Sequence, residues 1–235
     1  MKIKYVICLR IIINPDSALG YKYLSGIGES SWAHTGSRFM CRLEHKINAY
    51  DEGLFKHEAG EAQELLLLGD GYRYAPKPVS VVSEPPNWRP GGRPKTLAEI
   101  SAVDGELRVT GDLVKELLSE LTQGNLVAFK GVLKETNNEP MDVYLSSVGL
   151  KTAYEDYKRC EANLLSANYR QLERSRIQYA SGEHMIPPIG KQLLDEMAEF
   201  LLEDAACHKF LLMGTQMTLV LRKIMLASQK SVPLK

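Results

Sequence analysis

The chain has 235 residues, 44% of them hydrophobic, and its 29 Lys and Arg balance 29 Asp and Glu. That length and apolar content support one large or two small cored domains, and the zero net charge leaves no long-range field to gather nucleic acid or an anionic membrane. No apolar run approaches the roughly 20 residues a spanning helix needs.

The first residues, MKIKYVICLRIIINPDSALGY, place Lys2 and Lys4 before an apolar stretch and the small pair Ser17 and Ala18, the outline of an export leader over 1–19. Arg10 interrupts that stretch, and a buried N-terminal strand is the alternative reading. Residues Arg38 to Ile47 alternate Phe39, Cys41, Leu43, His45 and Ile47 against a largely charged set, which predicts a half-buried strand. AQELLLLG and KPVSVVSEP predict two more. SEPPNWRPGGRP is too rich in Pro and Gly for regular structure and predicts a loop.

ELRVTG predicts a strand. Thr110 or Asp112 is then placed to cap a helix through Thr122 whose Val114, Leu117, Leu118 and Leu121 share one face, ended by Gly124. NLVAFKGVLK and MDVYLSSVGL predict strands around a turn at Asn137 and Asn138. A helix from about Thr152 to Leu165 turns Tyr154, Tyr157 and Cys160 inward. Strands dominate this part, so the expected fold is α+β: an antiparallel, β-rich, barrel-like domain with a few helices packed on it.

Beyond SANYRQLERS the pattern changes. SRIQYA predicts a strand, Pro187 and Pro188 open a helix with Ile189, Leu193, Met197, Phe200 and Leu201 on its apolar face, and HKFLLMG predicts a second strand. This is the start of a βαβ unit, which needs further strands to cover its edges. The tail, GTQMTLVLRKIMLASQKSVPLK, has no structural period and no acidic residue.

Candidate chemistry is sparse. Cys8, Cys41, Cys160 and Cys207 form no C-x-x-C pair, and the five histidines form no i, i+4 pair, which argues against a metal site. GIGESS lacks a third glycine and LSSVG is not a nucleophile elbow. Glu58, Glu61 and Glu64 read as a solvated edge, and each histidine as a surface or satisfied core residue. The expectation is therefore no catalytic, cofactor or metal residue; a hydrolase built on His57 and Glu58 is the reading from another class. Trp88 and Arg89 sit in the Pro/Gly loop and are the residue types most enriched at binding hot spots, so they are the candidate partner-binding residues. The alternative is Trp88 folded back as a lid with Arg89 solvated, and Trp32 is expected in core or edge packing.

IQYASGEHMIPPIGKQLLDEMAEFLLEDAACHKFLLMG resembles the first strand, helix and second strand of the OmpA-like peptidoglycan-binding domain. In that family the second strand runs into T-D-x-x-G-x-x-x-x-N-x-x-L-S-x-x-R-A, which carries the ligand-binding acid and base. Those residues are absent here. Read one base out of step, however, the tail codons reach each motif position at the family's spacing: Met217 into Thr218 forces Asp, and Ser231 into Val232 permits Arg. Residues 215–235 are therefore expected to be out-of-frame translation of that domain's second half, with 171–214 as its first half.

SSWAHTGSRFMCRLEHKI, AGEAQELLLL, VSEPPNWRPG and VYLSSVGLKTAYEDYKRCEANLL resemble, in matching order over about residues 20–170, the N-terminal domain of the MotY family of sodium-type flagellar motor proteins, whose members continue into an OmpA-like domain. The resemblance implies a non-enzymatic periplasmic protein that forms a ring around the basal body with a MotX-like partner and helps hold the stator. The first domain would bind the basal body and the second the peptidoglycan, a contact the missing motif weakens here. It also implies a Cys41–Cys160 disulfide, worth roughly 4–5 kcal/mol for a loop on the order of 100 residues. The alternative is an OmpA-family envelope protein unrelated to flagella.

Overall fold

A computed structural model describes residues 20–89, 91–134, 139–178 and 185–203. In chain order it contains β1 (Tyr21–Tyr23), β2 (Ser31–Gly36), β3 (Met40–Ile47), β4 (Asp51–Glu58), β5 (Glu64–Gly69), β6 (Pro78–Glu84), β7 (Lys95–Ser101), β8 (Leu107–Thr110), α1 (Asp112–Thr122), β9 (Leu126–Val132), β10 (Pro140–Leu145), α2 (Leu150–Glu161), α3 (Tyr169–Arg174) and α4 (Pro188–Glu203).

The strands form two five-stranded sheets, one ordered β1-β10-β9-β6-β7 and the other β2-β3-β4-β5-β8. The pairings are antiparallel except that of β1 with β10. The fold is α+β as expected, but the sheets stay separate instead of closing into a barrel. Their inward residues meet in one core: Cys41, Leu43, Phe55 and Leu65 from one side, Val81, Phe129, Val143 and Leu145 from the other. Gly53 on β4 lets the sheets approach, because a Cβ there would collide with Leu145 of β10.

The two-residue period of β3 decides its orientation. Cys41, Leu43, His45 and Ile47 are buried, while Met40, Arg42, Glu44 and Lys46 face outward. Helix α1 buries the four predicted residues, Val114, Leu117, Leu118 and Leu121. Its cap differs from expectation: neither Thr110 nor Asp112 but Gly111 occupies the N-cap, without a side-chain hydrogen bond. The backbone there has φ 75°, a left-handed value that suits glycine and strains Thr or Asp.

Helix α2 starts earlier than predicted, since Gly149 in the left-handed region ends the β10 connection and releases Leu150 into the helix. Four strands escaped the sequence reading. β1 has three residues; β2 and β7 are edge strands with largely exposed side chains; and β4 carries no clean alternation.

Helix α4 is present, but its buried set is Gly190, Leu194, Ala198 and Phe200, and Ile189 is 77% exposed. It rests on the first domain through a small cluster of Ala59, Leu165, Leu172 and Phe200. Residues 175–178 of the predicted SRIQYA strand carry no strand, and its remainder, the HKFLLMG strand, the leader over 1–19 and the tail over 215–235 lie outside the described residues.

Candidate functional site

Cys41 lies on the buried face of β3 and Cys160 in the last turn of α2, and the two are joined as a disulfide with Cα atoms 5.9 Å apart across 119 positions of sequence. Two packed elements far apart in the chain are thereby fixed at the rim of the core. Gly36, paired with Cys41 across β2 and β3, makes the room: a Cβ at that position would stand 2.5 Å from the Cys160 sulfur.

Polar contacts reinforce the same end of α2. His57 Nδ1 lies 2.7 Å from Glu161 Oε1, and Gln63 Nε2 donates to Glu161 at 3.1 Å and to the Tyr157 hydroxyl at 2.9 Å. The Leu165 amide donates to the Arg38 carbonyl. Beyond it, Phe39 meets Phe200 of α4 with ring centroids 5.1 Å apart, and Arg38 pairs with Glu199 and Glu203. The β2–β3 turn is therefore the seat on which α2 and α4 are both fastened.

A cleft of about 480 Å³ opens beside this clamp, lined by His57, Gln63, Lys115, Tyr154 and Glu161 among others. His57 does not work with Glu58. Successive strand residues point to opposite faces, and Glu58 instead pairs with Lys56 and Arg170. His57 has both ring nitrogens engaged, the second with the Glu61 carbonyl at 3.2 Å, and among the described residues no Ser, Thr or Cys lines the cleft. The arrangement braces α2 against β4. Glu58, Glu61 and Glu64 are not a free solvated edge either: Arg170 reaches the first two, and Lys56 and Arg108 reach Glu64.

The loop between β6 and β7 separates the two candidate partner residues. Trp88 is 56% exposed and does not fold back as a lid. Arg89 is not simply solvated: its guanidinium donates to the Gln123 carbonyl at 3.0 Å and to Asn125 Oδ1 at 3.3 Å, at the C-terminal end of α1. A cation there satisfies an orphan carbonyl and complements the helix dipole. Arg89 thus anchors the loop while Trp88 is presented. Trp32, by contrast, packs over His45 and Phe55 and donates to the Ser146 carbonyl at 2.8 Å.

Two histidines depart from the satisfied-core expectation. His45 is fully buried and its pKa is lowered to about 4 by burial; Nε2 contacts Ser30 Oγ, while Nδ1 has no partner among the described residues. His34 Nε2 is likewise buried and unpartnered among the described residues. Neither was legible, because period-2 alternation says which face a side chain takes and not what meets it there. Glu161 as the partner of His57 was equally hidden by their separation in sequence. Among the described residues no group of three or more His, Cys, Asp or Glu is placed to hold a metal ion, and no helix is long and apolar enough to cross a membrane.

The chain is thus a two-sheet protein of the α+β class, stapled by one disulfide, braced by ion pairs and carrying an exposed tryptophan on an anchored loop. A profile described as the MotY N-terminal domain matches residues 23–166, which is more than half of the chain, and the protein belongs to that family. It is also similar to a relative named sodium-type flagellar protein MotY from Vibrio parahaemolyticus, at 25% identity over 199 residues. That alignment covers 80% of this chain and 66% of the relative, so the chain spans just under two thirds of the relative's length.

Proposed function

We infer that the chain is a non-enzymatic, periplasmic component of a sodium-type flagellar motor, whose first domain docks on the basal body in a ring shared with a MotX-like partner and steadies the stator. The observation that carries this reading is the family match over 23–166. The similarity to a sodium-type flagellar protein supports it. So does the Cys41–Cys160 bridge, since structural disulfides persist in oxidising compartments such as the periplasm.

In this reading residues 20–170 are the docking domain and α4 belongs to a second, OmpA-like unit that contacts peptidoglycan in full-length relatives. Residues 215–235 carry neither the acid nor the arginine of the motif at its spacing. Trp88 is the partner-facing anchor, and Arg89 holds its loop against α1.

Complementation tests the reading. The full chain is expressed in a sodium-driven strain lacking its own ring protein, and swimming speed is scored together with the amount of chain in isolated basal bodies. The expected result is recovery of the chain with the basal bodies and weak rescue of swimming. A chain that is exported and folded yet absent from basal bodies would refute the assignment.

A further inference from the structure

We propose that the Cys41–Cys160 bridge is a thiol-exchange site that external thiols enter at the Cys160 sulfur, with His34 as the hydrogen-bond donor that receives the displaced Cys41 sulfur.

The two sulfurs differ in access. Cys41 is 0% exposed, in the core between β3 and α2. Cys160 lines an open cleft of about 400 Å³, together with His34, Ser37, Arg38, Asp156 and Arg159. The edge strand β2 ends there on Gly36, directly across from Cys41. Because Gly36 has no side chain, the space over the Cys160 sulfur is not filled by its neighbour. Thiol exchange requires the attacking sulfur to reach the one it bonds, so access selects Cys160.

His34 supplies the second observation. Its Nε2 stands 3.2 Å from the point where a Gly36 Cβ would lie, and the Cys160 sulfur stands 2.5 Å from that same point. His34 also sits diagonally across from Cys41 in the β2–β3 register, on the same sheet face. Buried polar nitrogens normally have partners, and leaving one without is costly. His34 Nε2 is buried beside the bridge without a partner among the described residues, and in the tautomer that protonates it, it gains one when the bridge opens. Both guanidinium groups at the cleft are paired, Arg38 with Glu199 and Glu203 and Arg159 with Asp156, so neither is left free to draw in an anionic thiol.

The chemistry is two-electron exchange with a dithiol. A deprotonated thiol of the reductant attacks Cys160 Sγ, the S–S bond breaks, and the electron pair leaves with the Cys41 sulfur, which accepts the His34 Nε2–H hydrogen bond and then a proton from solvent. The second thiol of the reductant attacks its own sulfur in the mixed disulfide, leaving Cys160 reduced and the reductant as a disulfide. Run backwards, an oxidised dithiol closes the bridge.

Mapping the first adduct tests this. The folded, oxidised full chain is exposed briefly to glutathione, quenched with acid, alkylated and digested, and the adduct is located by mass spectrometry. Glutathione is expected on Cys160, with Cys41 carrying the alkyl group. His34→Ala is expected to slow the initial rate by about tenfold or more, within the range of a hydrogen bond to a developing anion, and His34→Gln, which keeps an N–H donor, to recover most of it. An adduct on Cys41, an even division, or a rate that tracks global unfolding in denaturant would overturn the entry site. Equal rates in wild type and His34→Ala would overturn the role of His34, and should that variant not fold, His34→Phe, which also removes the donor, is expected to show the same slowing, equal rates again overturning the role.

Discussion

His45 is a residue at which the fold is sensitive to acid. Burial lowers its pKa from 6.5 to about 4, so in the native state the ring resists the proton that the unfolded chain accepts readily. The unfolded state therefore binds more protons between those two values. Stability from this site is fully present above about pH 6.5 and declines as pH falls toward 4, by about 3 kcal/mol if the whole shift is expressed. Urea midpoints measured from pH 7 to pH 4 should fall steeply in wild type and more gently in His45→Phe; parallel curves would contradict the assignment. Trp88 predicts the opposite kind of effect. With its side chain mostly exposed, Trp88→Ala should leave the melting temperature nearly unchanged while weakening basal-body recovery by roughly 30-fold, the size expected of a binding anchor worth about 2 kcal/mol. A large loss of stability without loss of recovery would show that Trp88 packs and does not dock.

Among the elements, the disulfide is the dominant brace. It ties β3 to the end of α2 across 119 positions, and in the chain-entropy view its loss costs about 4–5 kcal/mol. Reduction or a Cys41→Ser, Cys160→Ser double change should lower the urea midpoint accordingly, and a shift of less than about 1 kcal/mol would place the stabilising contacts elsewhere. Helix α4 is held differently, by an aromatic contact and exposed ion pairs. Surface ion pairs contribute little and weaken with salt, whereas Phe200 is 4% exposed against Phe39. Hydrogen exchange across α4 should rise strongly in Phe39→Ala and only slightly in Arg38→Ala; the reverse order would make the charges the fastening.

This element scale is also where the sequence was read best. Strand β3 and helix α1 declare their buried faces because each has one wet and one dry side, so the apolar period survives in the residues. Edge strands β2 and β7 do not, since most of their side chains meet solvent. Helix α4 was placed correctly, but its contact face was misjudged around Ile189. Its buried stripe, Gly190, Leu194 and Ala198, runs one position round from the predicted one, while Phe200, with Leu193 and Met197 beside it, makes the contact with the first domain. The bridge partners were implied by resemblance to a family, while the surroundings that give the bridge its chemistry, Gly36 and His34, emerge when β2 is laid beside β3.

At the scale of the whole molecule, two sheets, two covering helices and one staple make a rigid platform from which the Trp88 loop projects and against which α4 rests. The proposed docking role fits this arrangement, because a loop tied to α1 by the Arg89 hydrogen bonds has less freedom to lose on binding. The measurement that tests this most directly is quantitative recovery of the full-length chain in purified basal bodies from cells lacking their own ring protein, compared with its Trp88→Ala form. The account predicts that the wild-type chain copurifies at levels comparable to the ring components and that the Trp88→Ala chain, equally exported and folded, is largely lost; equal absence of both from basal bodies would contradict it.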